Sequence, residues 1–183
     1  MVKDMKLISF ILFIIIILAL LAIYYILTYN KLSNYKLKID KAEGIIDEAL
    51  RKKYDLIAKI NVLVKKVVTK KDYLKDYIDL KDKKISNYDL DRKLIEAENF
   101  ILEFKNDYSE LDNKEFNSYL KEINSINEEL VSGKTYYNKN TDELNKIIKK
   151  FPTNIIASIH HYKIKPFFDG KDMQDDIIDD FKL

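Results

Sequence analysis

The chain opens on an unbroken apolar run and then changes to a spaced pattern. From Leu7 to Thr28 no charged residue occurs. A bilayer core about 30 Å thick is crossed by roughly 20 apolar residues in a helix, so this run predicts a membrane-spanning segment. The competing reading is a secretory signal peptide, whose apolar region is about 7–15 residues long and closes on an A-x-A-like site. Here the run is longer, and Ala19 and Ala22 stand three apart, which favours a retained anchor. Tyr24, Tyr25 and Tyr29 collect at one end of it, where aromatic rings prefer the headgroup region.

Beyond the anchor, apolar residues recur at alternating steps of three and four, the seam of a helix packed on other helices. The first series runs Ile39, Ala42, Ile46, Ala49, Lys53, Leu56, Ile60, Leu63, Val67, Lys70, Leu74 and Tyr77, and only Lys53 and Lys70 interrupt it. Proline is absent from Leu7 to Lys81, so anchor and first helix can form one rod; the stripe thins near Thr69-Lys70-Lys71-Asp72, where a break is expected. Ser86 or Asn87 then caps a second helix carrying Leu90, Leu94, Ala97, Ile101, Phe104, Tyr108 and Leu111. Asp112-Asn113 supplies a turn and a cap for a third, with Phe116, Tyr119, Ile123, Ile126, Leu130, Gly133, Tyr137, Asn140, Leu144, Ile147 and Phe151. Pro152 ends it, since the residue before a proline avoids helical geometry. Thr153 is expected to cap a short last helix over 154–161, and Ile155, Ile156 and Phe167 to return to the bundle.

The predicted fold is therefore all-α: a single N-terminal transmembrane helix, then an antiparallel up-and-down bundle of three long helices plus a short C-terminal one, because short connections make neighbouring helices antiparallel. The divisions are residues 1–29 for the N-terminal tail and anchor, 30–168 for the bundle and 169–183 for an acidic tail. Asp169, Asp172, Asp175, Asp176, Asp179 and Asp180 in that tail lack the spacing, central glycine and closing Glu of a calcium loop, and read as a solvated end.

Charge and composition narrow the function. The formal net charge is +2, which gives no basic excess toward nucleic acid. Cysteine is absent, so disulfides, iron–sulfur clusters, cysteine zinc sites and lipidated cysteines are all excluded. Lys31, Lys36, Lys38 and Lys41 follow the anchor, against Lys3 and Lys6 before it. The larger cluster favours a cytoplasmic domain; the basic N-terminus supports the opposite orientation.

Catalytic patterns do not appear. His160 and His161 are the only histidines, and adjacent helical side chains do not share a face. A catalytic metal site needs three protein ligands, and no H-E-x-x-H, phosphate-binding loop, dinucleotide loop or nucleophile elbow is present. Carboxylates such as Glu96, Glu98, Glu128 and Glu129 read as solvated helix faces. No enzyme activity, cofactor or metal is expected.

Two stretches form a recognisable pair. The first is Tyr29-Asn30-Lys31-Leu32, Ala42, Ile46-Asp47, Leu50 and Tyr54-Asp55-Leu56-Ile57; the second is Tyr137-Asn138, Leu144-Asn145, Phe151-Pro152-Thr153-Asn154-Ile155-Ile156-Ala157 and Pro166-Phe167-Phe168. Together they resemble the LemA family of bacterial membrane proteins. The resemblance covers both ends of the chain; the middle, about 69–113, is alike only in being helical. It implies an anchor and a four-helix bundle, and carries no established chemistry. Three departures stand out: Ala58-Lys59 where the family has Pro-Asn, Tyr108-Ser109 for its Tyr-Pro, and Lys134 for an Arg-rich run.

The motif residues read best as structural. Asn138 and Asn145 stand seven apart and share a helix face, where each amide can bond a facing backbone or side chain and fix register; a polar ligand pocket is the alternative. Tyr54-Asp55 is expected to pair with a group on the third helix. Two functions from different classes remain: a membrane scaffold that docks other proteins or a second copy of itself, or a bundle that holds a lipid or small apolar ligand. Exposed apolar patches favour the first, an enclosed apolar cavity the second.

Overall fold

A computed structural model describes residues 2–68, 73–82 and 85–169. All regular structure among them is helical: α1 (Val2–Val67), α2 (Lys75–Ile78), α3 (Asn87–Asp107), α4 (Lys114–Lys149) and α5 (Thr153–Ile159), with 3-10 turns at Asp79–Asp82 and Ser109–Leu111. The chain falls into two compact units, Met1–Lys38 with Asn140–Lys165, and Ile39–Lys139 with Pro166–Leu183.

The first unit begins with the apolar stretch of α1, which is long and apolar enough to cross a membrane and whose most apolar window holds no residue enclosed by the protein. The burial pattern changes at Thr28 and Leu32, which are enclosed, as are Thr141, Leu144, Asn145, Ile156 and Ala157. α4 ends at Lys149 ahead of Pro152, as expected. Thr153 departs from expectation: its hydroxyl turns back and donates to the carbonyls of Ile147 (2.6 Å) and Lys150 (2.7 Å). It thus satisfies orphan carbonyls at the end of α4, and Pro152 occupies the N-cap position of α5 with no side-chain cap bond.

The end of α5 explains His161. Tyr162 N–H donates to Ala157 O (2.9 Å) and His161 N–H to Ser158 O (3.0 Å), the paired bonds of a Schellman termination. Such an end needs a left-handed residue just past the cap, and His161 sits there at φ 56°.

The second unit follows the seam series for most of its length: Ile39, Ala42, Ile46, Ala49, Leu56 and Ile60 are buried along α1. Leu50, Ile57 and Val64, outside the series, are buried too, whereas Leu63 and Val67 are only half-buried, so the buried stripe shifts by one residue toward the end of the helix. α1 stops at Val67, within the run Val67-Val68-Thr69, whose β-branched residues are poor helix formers. The expected break at 69–72 lies outside the described residues. Leu74 and Tyr77, read as the end of the first helix, belong instead to the N-cap and body of the separate helix α2; Leu74 still reaches the core, fully buried.

α3 starts where its capping sequence places it. Ser86 Oγ accepts from Asp89 N–H at 3.1 Å and donates to Asp89 Oδ2 at 2.6 Å, and Leu94, Ala97 and Ile101 are buried. Asn113 caps α4 by accepting from Phe116 N–H at 3.0 Å. The Asp112 carboxyl is held below its usual range by the Asn117 hydrogen bond and by Lys105. Gly133 allows a close approach: a Cβ there would stand 3.1 Å from Ile46 Cγ1. Of the acidic tail only Asp169 is described; Asp172, Asp175, Asp176, Asp179 and Asp180 lie outside the described residues.

Candidate functional site

The motif residues distribute over the two units, and each set is organised around the chain that follows α5. In the first unit the buried Asn145 side chain closes two hydrogen bonds on one residue. Its Nδ2 donates to Lys165 O at 2.8 Å, and its Oδ1 accepts from Lys165 N–H at 3.0 Å. An amide presents one donor group and one acceptor in a plane, so it replaces the pairing that a neighbouring strand would offer. Tyr29 packs its ring on His160, centroids 4.5 Å apart, and Tyr25 Oη lies 2.6 Å from His160 Nε2. Asn30 is exposed. The Tyr162 hydroxyl is pushed above its ordinary pKa by burial first and by the neighbouring Tyr29 second. An open groove lined by Tyr29, Lys36, Leu144, His160, Tyr162 and Ile164 runs beside these residues.

Pro152 stands just past the end of α4, as expected, but Phe151 contradicts its expected place in the seam. Phe151 is 72% exposed and Ile155 is 52% exposed, whereas Ile156 and Ala157 are buried. The apolar pair after the proline therefore splits between inside and outside, because consecutive helical positions point about 100° apart.

In the second unit Tyr137 and Asn138 hold the last described residues. Tyr137 Oη donates to Pro166 O at 3.2 Å, and Asn138 Oδ1 accepts from Phe168 N–H at 2.8 Å. The Phe168 ring meets Tyr137 and Tyr88 edge-on, at 6.3 and 6.2 Å between centroids, an arrangement that suits the ring quadrupoles. Lys134 Nζ stands 5.3 Å from the centre of the same ring and bonds Asp91 Oδ2. Asp91 is buried, and its Oδ1 has no hydrogen-bond partner. Lys134 is thus tied down from two sides. Asn138 and Asn145 thus both bind backbone of the segment after α5 and not a neighbouring long helix.

Tyr54 donates from its hydroxyl to Ile78 O at 2.6 Å, on α2, where a partner on the third long helix was expected. Asp55 is exposed and shares a groove with Asp47, Arg51, Tyr54, Ile85 and Leu90.

Among the described residues the most deeply placed charge is Lys53, which in the sequence stands out only as an interruption of the seam. Lys53 is 1% exposed, and its Nζ lies 2.7 Å from Glu98 Oε2 and 2.8 Å from Asn127 Oδ1. Asn127 Nδ2 donates in turn to Glu98 at 3.0 Å, so α1, α3 and α4 meet in one closed triangle. Glu98, expected on a solvated face, is 15% exposed at its side chain. The available signal was Lys53 itself: a charge at a seam position is tolerated only when paired. Glu98 follows the buried Ala97 and so borders the buried face of α3.

Among the described residues no group of three or more His, Asp or Glu could hold a metal ion. Neither curated proteins nor solved structures match the chain. A family model does, over residues 42–179, a span that takes in the Lys53 triangle, both asparagine clamps and the Phe168 packing. The chain belongs to the LemA family.

Proposed function

We propose that this chain works by binding, not by catalysis: a membrane-tethered helical bundle that presents an aromatic ridge to a partner protein. The ridge carries the reading. Tyr73 and Phe104 meet edge-on at 5.0 Å, Tyr77 and Phe100 lie 6.0 Å apart, and Phe104 continues to Tyr108 at 6.2 Å. Tyr73 and Phe100 are each exposed. Preordered aromatic rings lose little entropy on binding and supply much of the energy at protein interfaces. Burial, reinforced by Glu96, pushes the Tyr77 hydroxyl up from its ordinary value.

The interior supports the non-enzymatic half of the reading. Lys53, Glu98, Asn127 and Asn145 are occupied by partners within the fold, whereas catalytic groups need access to a substrate. A lipid or apolar ligand held inside the bundle would need an enclosed cavity; the groove lined by Glu43, Ile46, Tyr88, Tyr137 and Phe168 is open to solvent. The apolar stretch of α1 supports anchoring, and the lysines after it support a cytoplasmic placement of the bundle.

A photo-crosslinking residue at Phe100 or Tyr73, activated in native membranes, tests this. Discrete protein adducts from those two positions, and none from the exposed Glu122, are expected. Lipid adducts alone, or equal labelling from Glu122, would contradict it.

A further inference from the structure

We infer that α5 is a second membrane contact, its outer face lying in the headgroup boundary of the bilayer that α1 crosses. This rests on the reading of α1 as a span and adds a distinct contact to it. Ile155 and Ile159 stand one helical turn apart and are 52% and 58% exposed, and Phe151, in the turn that precedes α5, is exposed as well. The adjoining face of the same short helix is buried through Ile156 and Ala157, so folding already has its own apolar side and leaves this one over.

The position of α5 identifies what covers that side. His160, the next residue after Ile159, is fastened to Tyr25 by the 2.6 Å hydrogen bond and stacked near Tyr29. Those tyrosines mark the end of the apolar stretch of α1. The C-terminal end of α5 is therefore held beside the point where the span leaves the hydrocarbon, the depth at which amphipathic helices and aromatic rings settle. Exposed Lys149, Lys150 and Lys163 flank the apolar face in sequence, and basic residues bordering an apolar face match anionic headgroups.

The chain has no tryptophan, so one introduced indole reports alone. Full-length Ile155→Trp, Ile159→Trp and, as reference within the span, Leu20→Trp are placed in phosphatidylcholine–phosphatidylglycerol vesicles brominated on the upper acyl chain. Blue-shifted emission from Trp at 155 and 159, with loss of intensity in brominated vesicles, is expected. Water-like, unquenched emission at both, with Leu20→Trp quenched, overturns the proposal and leaves the span standing. Blue-shifted but unquenched emission also overturns it, since protein or a second copy then covers the face. If Leu20→Trp too is unquenched in vesicles brominated along the whole chain, the span reading fails and the proposal with it.

Discussion

Lys53 Nζ and Glu98 Oε2 face each other across 2.7 Å with the lysine almost wholly enclosed. Removing one member of such a pair leaves a largely enclosed charge with only the Asn127 amide facing it, and breaking a buried pair in this way costs about 3–5 kcal/mol. Replacing both by apolar groups of similar size is often neutral or favourable. Lys53→Met and Glu98→Leu should each lower the denaturant midpoint of the detergent-solubilised chain strongly, and the double variant should recover most of the loss. Equal and additive losses would show that the pair is not coupled.

Asn145 makes a separate prediction with a local readout. Asn145→Ala withdraws both bonds from Lys165, and leaving buried backbone groups unpaired costs about 1–3 kcal/mol. Amide exchange at Lys165 should quicken well before global unfolding. In Asn138→Ala the same should happen at Phe168, whose N–H loses its acceptor. Unchanged exchange at both sites would mean that the clamps do not hold the chain after α5.

Gly44 and Gly133, the two helical glycines among the described residues, should answer alanine differently. Nothing lies within 4 Å of a Cβ at Gly44, so Gly44→Ala should gain about 0.5–1 kcal/mol from helix propensity. At Gly133 the new Cβ meets Ile46 Cγ1 at 3.1 Å, and Ile46 is buried. Gly133→Ala should therefore show no gain, and Gly133→Val should lose about 1–3 kcal/mol by overpacking. Chemical denaturation of the three variants checks the order.

These sites also show what the sequence makes legible. Period and capping residues locate α3 and α4 well, because Ser86 and Asn113 act through neighbours only three residues away. The seam of α1 is as plain from Ile39 to Ile60, down to Lys53 as its anomaly, and is lost beyond it, where Leu63 and Val67 are only half-buried. What periodicity does not provide is a partner distant in the chain: Glu98 and Asn127 around Lys53, or Lys165 for Asn145, are set by how elements meet. Phe151 illustrates the opposite error. Its apolar ring and its place beside Pro152 argue for burial, yet the turn after α4 leaves it exposed. Thr153 was misassigned for a related reason, since its hydroxyl serves the helix behind it as readily as the one ahead.

The central claim is that the apolar stretch of α1 stays in the bilayer and tethers the helices that follow. Alkaline carbonate extraction of native membranes containing the full-length chain tests it most directly. The account predicts that the protein remains in the membrane pellet at full size. Recovery of the intact chain in the wash, or of a shortened chain lacking the segment before Lys31, would contradict it.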